Sequence, residues 1–517
     1  MPTAAKPDDY TLEWFEIQRK NKSAHSIKAD KHITLRPHQT EGAKAIVKAY
    51  NADLPGFMLA DDVGLGKTYT IIDATNCISA KSKKRLNILV ISPLSVVPHW
   101  KHSLRSYGTT NSLWCVTNYD ILKNFLKKPV TARTAKKTRT QNKRHAQSGL
   151  SKVQWDIVIC DESHRLKNPL SQRTRCVSRL VNTKSDGNRE TPAFTIWASA
   201  TAGQNPLDLS YLGALLAART GSKPKELVDY AQWCLKNNLG VSRGKFGKWE
   251  YIPKKGDYER VRSMLFDEFE LNGKKLVASL RRKPTMISGW PEMMRQTLPA
   301  SLSPKEYKAY ELVWEKFIEE MQLISKSKGK TTKNAMVAAL RFRQKASILR
   351  AKATSDAIKD FITEGYRPAV SMQFYDSIDS VKKLLGSVLK VGVIDGRTKD
   401  RESVRLKFMQ GKLDCVLFSV TEGISLHANS DVSGADSTPR VLLIHDLRWS
   451  ALDMAQIEGR THRDGQSALA YYMYSENTVE EKMVDAVVNK LKTMSEMLGD
   501  DTTALDSLLS ECAHTLK

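Results

Sequence analysis

The sequence predicts an α/β protein built from two doubly wound parallel-sheet lobes with a helical insertion between them. Three observations carry this reading. Short unbroken apolar runs alternate with longer stretches of helical periodicity, and such runs between helices are typical of parallel strands buried on both faces. The pattern occurs twice, before about residue 205 and after about 365. The first run leads through a glycine-rich turn into a helix, the strand–loop–helix order of a phosphate-binding fold.

In chain order, residues 1–30 are polar and mixed and are expected to form a tail. A first lobe is expected over 31–298. Its strands are Gly56-Phe-Met-Leu-Ala60, Asn87-Ile-Leu-Val-Ile-Ser92, Trp155-Asp-Ile-Val-Ile-Cys160 and Phe194-Thr-Ile-Trp-Ala198, with a helix over Lys67 to Ser79. Helical spacing dominates 299–365, which is expected to form a linker or protrusion. The second lobe, 366–490, takes its strands from Pro368 to Met372, Val391 to Ile394, Cys415 to Ser419 and Val441 to His445. Residues 491–517 are expected to form a second tail.

The 517 residues carry 81 Lys and Arg against 56 Asp and Glu, a net charge of +25. A charge of that size on a globular chain points to a polyanionic partner, nucleic acid first. Two stretches lack acidic residues altogether. Ten Lys and Arg fall between Asp120 and Asp156, and nine between Glu320 and Asp356. The first marks a basic insert at about 121–152, whose centre, 131–147, is too polar to pack. It reads as a nucleic-acid contact, a nuclear-targeting run or a solvated loop. In the second, Met336 to Ile348 has helical apolar spacing, which predicts a basic helix with Arg341, Arg343 and, just beyond it, Arg350 able to approach a phosphate backbone. The 41% hydrophobic content excludes wholesale disorder. No apolar run reaches the roughly 18 residues of a membrane span, and the opening residues lack a signal-peptide layout. Seven scattered cysteines without a C-x-x-C pair argue against a zinc ribbon and fit a reducing compartment.

Asp61-Asp-Val-Gly-Leu-Gly-Lys-Thr68 follows the first strand and opens a helix. Gly64 and Gly66 allow backbone N–H groups to turn inward around phosphate oxygens, where a Cβ would obstruct them. Lys67 is placed to reach the β- and γ-phosphates of ATP, and the Thr68 hydroxyl to meet Mg²⁺. The first position carries Asp61 where the strict motif has glycine. Asp161-Glu-Ser-His164 ends the Trp155–Cys160 run, so its carboxylates emerge at the carboxyl edge of the sheet. Asp161 is expected to hold Mg²⁺ through its water shell and Glu162 to polarise the attacking water.

These two motifs together resemble the signature of superfamily-two helicases, and their detail resembles the Swi/Snf-related ATPases and their bacterial and viral relatives. Leu35-Arg-Pro-His-Gln39 is similar to the family's opening motif, which implies that Gln39 reads adenine and Arg36 frames the base. Ile91-Ser-Pro-Leu94 with Trp100, and Thr117-Asn-Tyr119, resemble motifs on the DNA side. Ser199-Ala-Thr-Ala202 with Gln204 and Asn205 resembles the coupling motif, without its usual Gly-Thr-Pro. In the second lobe, Ser371 to Phe374, Ile394 to Thr398 with Arg401, and Ser419 to Leu426 resemble early motifs, with Val420 and Thr421 where paired glycines are usual. Gln456-Ile-Glu-Gly-Arg-Thr-His-Arg-Asp-Gly-Gln466 follows the family's closing motif most closely.

The resemblance implies two RecA-like lobes. Arg460 and Arg463, expected one helical turn apart, would act as arginine fingers on the γ-phosphate, with Gln456 beside the nucleotide. It further implies ATP hydrolysis coupled to movement along duplex DNA, which is the first expected partner, single-stranded DNA being the alternative. Trp100 and Trp449 are candidates to stack on bases, ordinary packing being the other reading. A strand-separating or annealing helicase, and a scaffold or motor subunit for a partner such as a nuclease docked on the tails, fit the same motifs. The compact length resembles bacterial or phage members, implying the cytoplasm, or the nucleus in a eukaryote. No membrane partner is expected.

Overall fold

The computed structural model describes residues 9–485 except 22–24, 31, 63, 126–149, 151–152, 183–192, 201–205, 245–246, 253, 255, 284–285, 288–292, 327–330, 421–423, 429–433, 449–450 and 463–467. The centre of the basic insert, Arg463, Trp449 and residues 486–517 therefore lie outside the described residues. The chain divides into two units, 1–287 and 288–517.

The first unit is built on a parallel six-stranded sheet. Its strands are β1 (Gly56–Leu59), β2 (Leu86–Ser92), β3 (Ser112–Asn118), β4 (Ile157–Asp161), β5 (Phe194–Ala198) and, after two short hairpins, an edge strand over Ser279–Leu280. The spatial order is edge strand, β1, β5, β4, β2, β3. Four of these strands are those expected, with ends moved by one or two residues. Continuous Val, Ile, Leu and Phe runs make them because helices cover the sheet, so every residue of β1, β4 and β5 is buried. Among the flanking helices are α1 (Leu12–Lys20), α2 (Pro37–Asn51), α3 (Lys67–Lys81), α4 (Val97–Tyr107) and α5 (Tyr119–Phe125).

The N-terminal segment is not simply a tail. Thr11 caps α1 by accepting from the Trp14 N–H at 3.2 Å, and the Phe15 ring lies 4.9 Å from that of Trp155. Arg85 donates to the carbonyls of Gln18 and Asn21 at 3.2 and 2.6 Å. Two apolar side chains, Trp14 and Phe15, were enough to bury one face of an otherwise polar stretch.

The second unit has its own parallel sheet: β6 (Met293–Ala300), β7 (Arg367–Ser371), β8 (Val391–Ile394), β9 (Cys415–Phe418), β10 (Arg440–Ile444) and β11 (Ala468–Ser475), in the order β6-β11-β10-β7-β9-β8. This corrects the boundary placed at 298 and the separate helical region placed at 299–365. Met293–Ala300 pairs along its whole length with Ala468–Ser475. Its residues alternate in exposure and include Pro299, a pattern suited only to an edge strand and easily overlooked in sequence. Helices α6 (Pro304–Lys326) and α7 (Thr331–Leu349) pack Tyr310, Phe317, Ala338 and Phe342 into the core of the same unit.

The basic helix exists as α7, but its arginines do not form an exposed stripe. Arg341 is exposed, with its Nη1 3.4 Å from Glu320. Arg343 is buried, donating to Gln373 Oε1 at 3.0 Å and to the Leu447 carbonyl, and burial pushes its guanidinium down to about 10. Arg350 is buried against Glu480 and Asp446 and donates to the His445 carbonyl at 2.8 Å. The expectation that Arg343 and Arg350 contact DNA is therefore overturned, since both guanidiniums are buried and donate to acceptors within the unit, neutral ones for Arg343 and two carboxylates for Arg350. Among the described residues, no helix is long and apolar enough to cross a membrane.

Arg350→Met should leave two buried carboxylates without their cation and destabilise the second unit by about 3–5 kcal/mol. Arg341→Met should cost at most about 1 kcal/mol, because its pair is exposed. Urea denaturation of the full chain checks both. Equal midpoints for the two variants would contradict the structural role of Arg350.

Candidate active site

Pairing across the first sheet sets the site. Leu59 is in register with Ala198, and Ala198 with Asp161, so one row crosses β1, β5 and β4. Two strand spacings separate the ends of β1 and β4, ~10 Å. The loops after all three strands consequently leave the same edge side by side, although Asp161 is about a hundred residues from Leu59 in sequence.

The glycine loop after β1 has Gly64 at φ +94° and Gly66 at φ +78°. Gly66 is required twice over: its backbone is left-handed, and a Cβ there would collide with the Gln39 amide. Gln39, at the start of α2, donates from Nε2 to the Leu65 carbonyl at 3.2 Å and accepts the Arg36 N–H at 3.0 Å. His38 Nε2 lies 3.0 Å from the same carbonyl. Residues 36–39 and the glycine loop are thus one bonded unit. Lys67 curls over the loop and donates from Nζ to the carbonyls of Asp61 and Asp62 at 2.7 and 3.3 Å. Thr68 follows in the first turn of α3.

Asp61 does not face a nucleotide. It is fully buried, and both of its oxygens accept from Arg282: Oδ1 from the backbone N–H and from Nε, each at 3.0 Å, and Oδ2 from Nη2. Its expected place among the cofactor-binding residues is corrected: it is the anchor from which the loop begins. Arg282 had no signal in the sequence, because its partners are 221 and 244 residues away.

Asp161 closes β4. Its Oδ1 accepts the Glu162 N–H at 3.0 Å, its Oδ2 accepts the Trp100 indole N–H at 2.8 Å, and its carbonyl accepts the Tyr119 hydroxyl at 2.7 Å. Trp100 and Tyr119 are both buried, which overturns the reading of Trp100 as a base-stacking residue. Burial, reinforced by the neighbouring Glu162 carboxylate, pushes the Asp161 carboxyl up to about 6; the Trp100 hydrogen bond and the Lys67 charge oppose the rise. Glu162 adopts φ +49°, ψ +51°, a left-handed conformation that a non-glycine residue holds at a cost and that recurs at functional sites. Its Oε2 lies 3.4 Å from His164 Nδ1, and that nitrogen is 3.0 Å from Ser199 Oγ. Ser199 in turn donates its N–H to the Leu59 carbonyl at 3.2 Å. Glu162, His164, Ser199 and the end of β1 therefore lie in one chain of close polar contacts. Thr201, Ala202, Gln204 and Asn205 lie outside the described residues.

In the second unit, Gln456 is buried on the helix Ala451–Glu458. Arg460 lies beyond the end of that helix, in a turn. Its Nη1 donates to the Ile424 carbonyl at 3.1 Å, and its own carbonyl accepts the Leu426 N–H at 2.7 Å. The helix stops at Glu458, so Arg460 is not helical, and the one-turn spacing expected from it to Arg463 falls on a residue outside the described ones. Glu458 anchors this motif through Arg295 at 2.7 and 2.8 Å and the Tyr472 hydroxyl at 2.6 Å.

The raised Asp161 carboxyl has a stability consequence. A carboxyl whose folded pKa lies above its unfolded value contributes stability while protonated, and that contribution is lost as pH rises through about 4 to 6. The stability difference between wild type and Asp161→Asn should therefore move in favour of the Asn variant by roughly 1–2 kcal/mol from pH 5 to pH 8. Urea titrations of both proteins at the two pH values measure it, and any fixed cost of the amide cancels in the comparison. A pH-independent difference would contradict the shift.

Residues 38–185 match the SNF2-related domain. The chain is similar to an uncharacterised ATP-dependent helicase of Mycoplasma pneumoniae, 24% identical over 97% of this chain and 46% of the relative. It also resembles the uncharacterised ATP-dependent helicase YqhH of Bacillus subtilis, 22% identical over 93% of this chain and 81% of that protein. The chain spans about half the length of the Mycoplasma relatives it matches. A solved SWI2/SNF2 ATPase core of Sulfolobus solfataricus, in complex with dsDNA, aligns over 93% of this chain and 96% of its own, at 19% identity and a TM-score of 0.35. Residues 38–185 thus match the SNF2-related domain, and nearly the whole chain is similar to proteins named ATP-dependent helicases.

Proposed function

We propose that this protein hydrolyses ATP and couples the reaction to movement along duplex DNA. The observation that carries the reading is the single row across β1, β5 and β4, which brings a lysine-bearing glycine loop and an Asp-Glu pair to one sheet edge. The relatives' designation as ATP-dependent helicases agrees with it.

The residues suit a magnesium–nucleotide complex. Among the described residues, no group of three or more His, Cys, Asp or Glu side chains is placed to hold a metal ion. A metal arriving with phosphate oxygens and keeping its water does fit: it needs only hard oxygen donors such as the Thr68 hydroxyl and the Asp161 carboxylate. When bound, it would neutralise charge on the phosphates. Lys67 would exchange the loop carbonyls for β- and γ-phosphate oxygens, and the loop amides would do the same for the phosphate chain. Glu162 would orient the attacking water and accept its proton. Arg460 and Arg463 would supply the cations that stabilise the charge developing on the transferred group. Gln39 and Arg36, already tied to the loop, would hold the base.

The duplex reading rests on charge. A net +25 favours contact with a phosphate backbone, which supplies affinity without sequence information. The buried Arg343, Arg350 and Trp100 are not part of it. Exposed basic residues such as Arg341 remain candidates.

ATP hydrolysis measured without polymer, with duplex DNA, with single-stranded DNA and with RNA tests the reading. Duplex should stimulate turnover, and Lys67→Ala should lower it at least about 100-fold. The DNA affinity should fall steeply with salt, in proportion to the phosphates contacted. Stimulation by single strands or RNA alone would replace translocation with strand separation. Tight DNA binding with no hydrolysis under any condition would overturn the motor reading.

A further inference from the structure

Trp100 is a large aromatic residue with a single polar atom, and that atom is committed to Asp161. The indole is fully buried on α4, and its N–H reaches Asp161 Oδ2 at 2.8 Å. The other oxygen takes the Glu162 N–H at 3.0 Å. A carboxylate at a strand end turns freely about its two side-chain torsions unless both oxygens are held. Here one donor comes from the next residue of the chain and the other from a separate helix 61 residues earlier. Each oxygen keeps a second lone pair.

An indole suits this task for a chemical reason. It donates and cannot accept, so its partner must remain an acceptor. A hydroxyl or imidazole at the same place could exchange roles with a protonated carboxyl and turn it away. The wall behind Asp161 is completed by Tyr119, whose hydroxyl holds the residue's carbonyl at 2.7 Å. Trp100 and Tyr119 thus fix the side chain and the backbone of one residue from two different elements.

We propose that Trp100 is a positioning residue for Asp161: it fixes the carboxylate plane so that the free lone pairs present a pre-set site to the water shell of a nucleotide-bound Mg²⁺. The inference rests on the nucleotide-site reading above. Trp100 itself touches neither nucleotide nor DNA.

The test is equilibrium binding of ATP to the full chain, in EDTA and across a Mg²⁺ titration, together with steady-state turnover. Trp100→Phe keeps the aromatic packing and removes the donor. It should bind ATP in EDTA within about twofold of wild type, yet need about ten- to a hundredfold more Mg²⁺ for half-saturation, the worth of one hydrogen bond to a charged acceptor. Turnover at limiting Mg²⁺ should fall by a similar factor, with KM for ATP at saturating Mg²⁺ little changed. Leu104→Ala, which opens a cavity under the buried face of the same helix and leaves the indole in place, should keep the wild-type Mg²⁺ requirement. If the Phe variant does not fold, benzothienylalanine at position 100 retains the shape of tryptophan without its N–H. An unchanged Mg²⁺ requirement in the donor-free protein, or an equal shift in Leu104→Ala, overturns the role of Trp100. A wild-type protein whose ATP affinity does not respond to Mg²⁺ overturns the nucleotide-site reading instead, and this inference with it.

Discussion

The buried ion pair between Asp61 and Arg282 joins residues 221 positions apart, and the phosphate loop hangs from it. Arg282 also donates to the His38 carbonyl, so one residue ties the end of β1, the edge strand paired beside it and the start of α2. A buried charge without a partner would cost several kcal/mol, so each end of this pair strongly constrains the other. With Asp61 pinned, Lys67 can gather the loop carbonyls and Gln39 can close over Leu65. The loop is therefore held in shape by the protein's own groups, and in the proposed nucleotide-binding role that would lower the ordering cost of binding.

A comparable device organises the second unit. Asp446 and Glu480 are buried together near the end of β10, and Arg350 bridges them. His445 is fully buried beside them with hydroxyls of Ser347 and Thr354 at 2.9 and 2.7 Å, and burial holds its pKa down at about 4. It is a neutral hydrogen-bonding group at physiological pH, not a switch. Arg343 completes the arrangement through Gln373, whose own N–H goes to Asp446 at 2.7 Å. Residues from the basic helix and from the segments after β7 and β10 are thereby held in one polar cluster. Such a cluster is stable only when every member has its partner, which explains why basic residues on an amphipathic helix turn inward here.

Much of the architecture was legible because it depends on local patterns. Runs such as Ile157–Asp161 and Cys415–Phe418 are continuous and apolar because helices cover both faces, and they were placed to within one or two residues. Gly64 and Gly66 were legible because few other residues tolerate their backbone angles. The strand Met293–Ala300 was not, because an edge strand carries polar residues and even proline where no neighbour demands otherwise. Helix α1 was missed because two buried aromatics on a polar background give a weak periodic signal.

The sequence by itself determined which chemical groups are present and which local turns carry them: a lysine at a glycine loop, a carboxylate pair at a strand end, an arginine-rich closing motif. Those depend on spacing along the chain, which periodicity and motif express directly. Tertiary structure alone decided what each charge or ring does. Arg343, Arg350, Asp61 and Trp100 have side chains that suit solvent, phosphate or nucleobase equally well, and each is instead buried against an acceptor or donor supplied from far along the chain. The physical reason is that the cost of burying a polar group is settled by its partner, and that partner comes from another element of the fold.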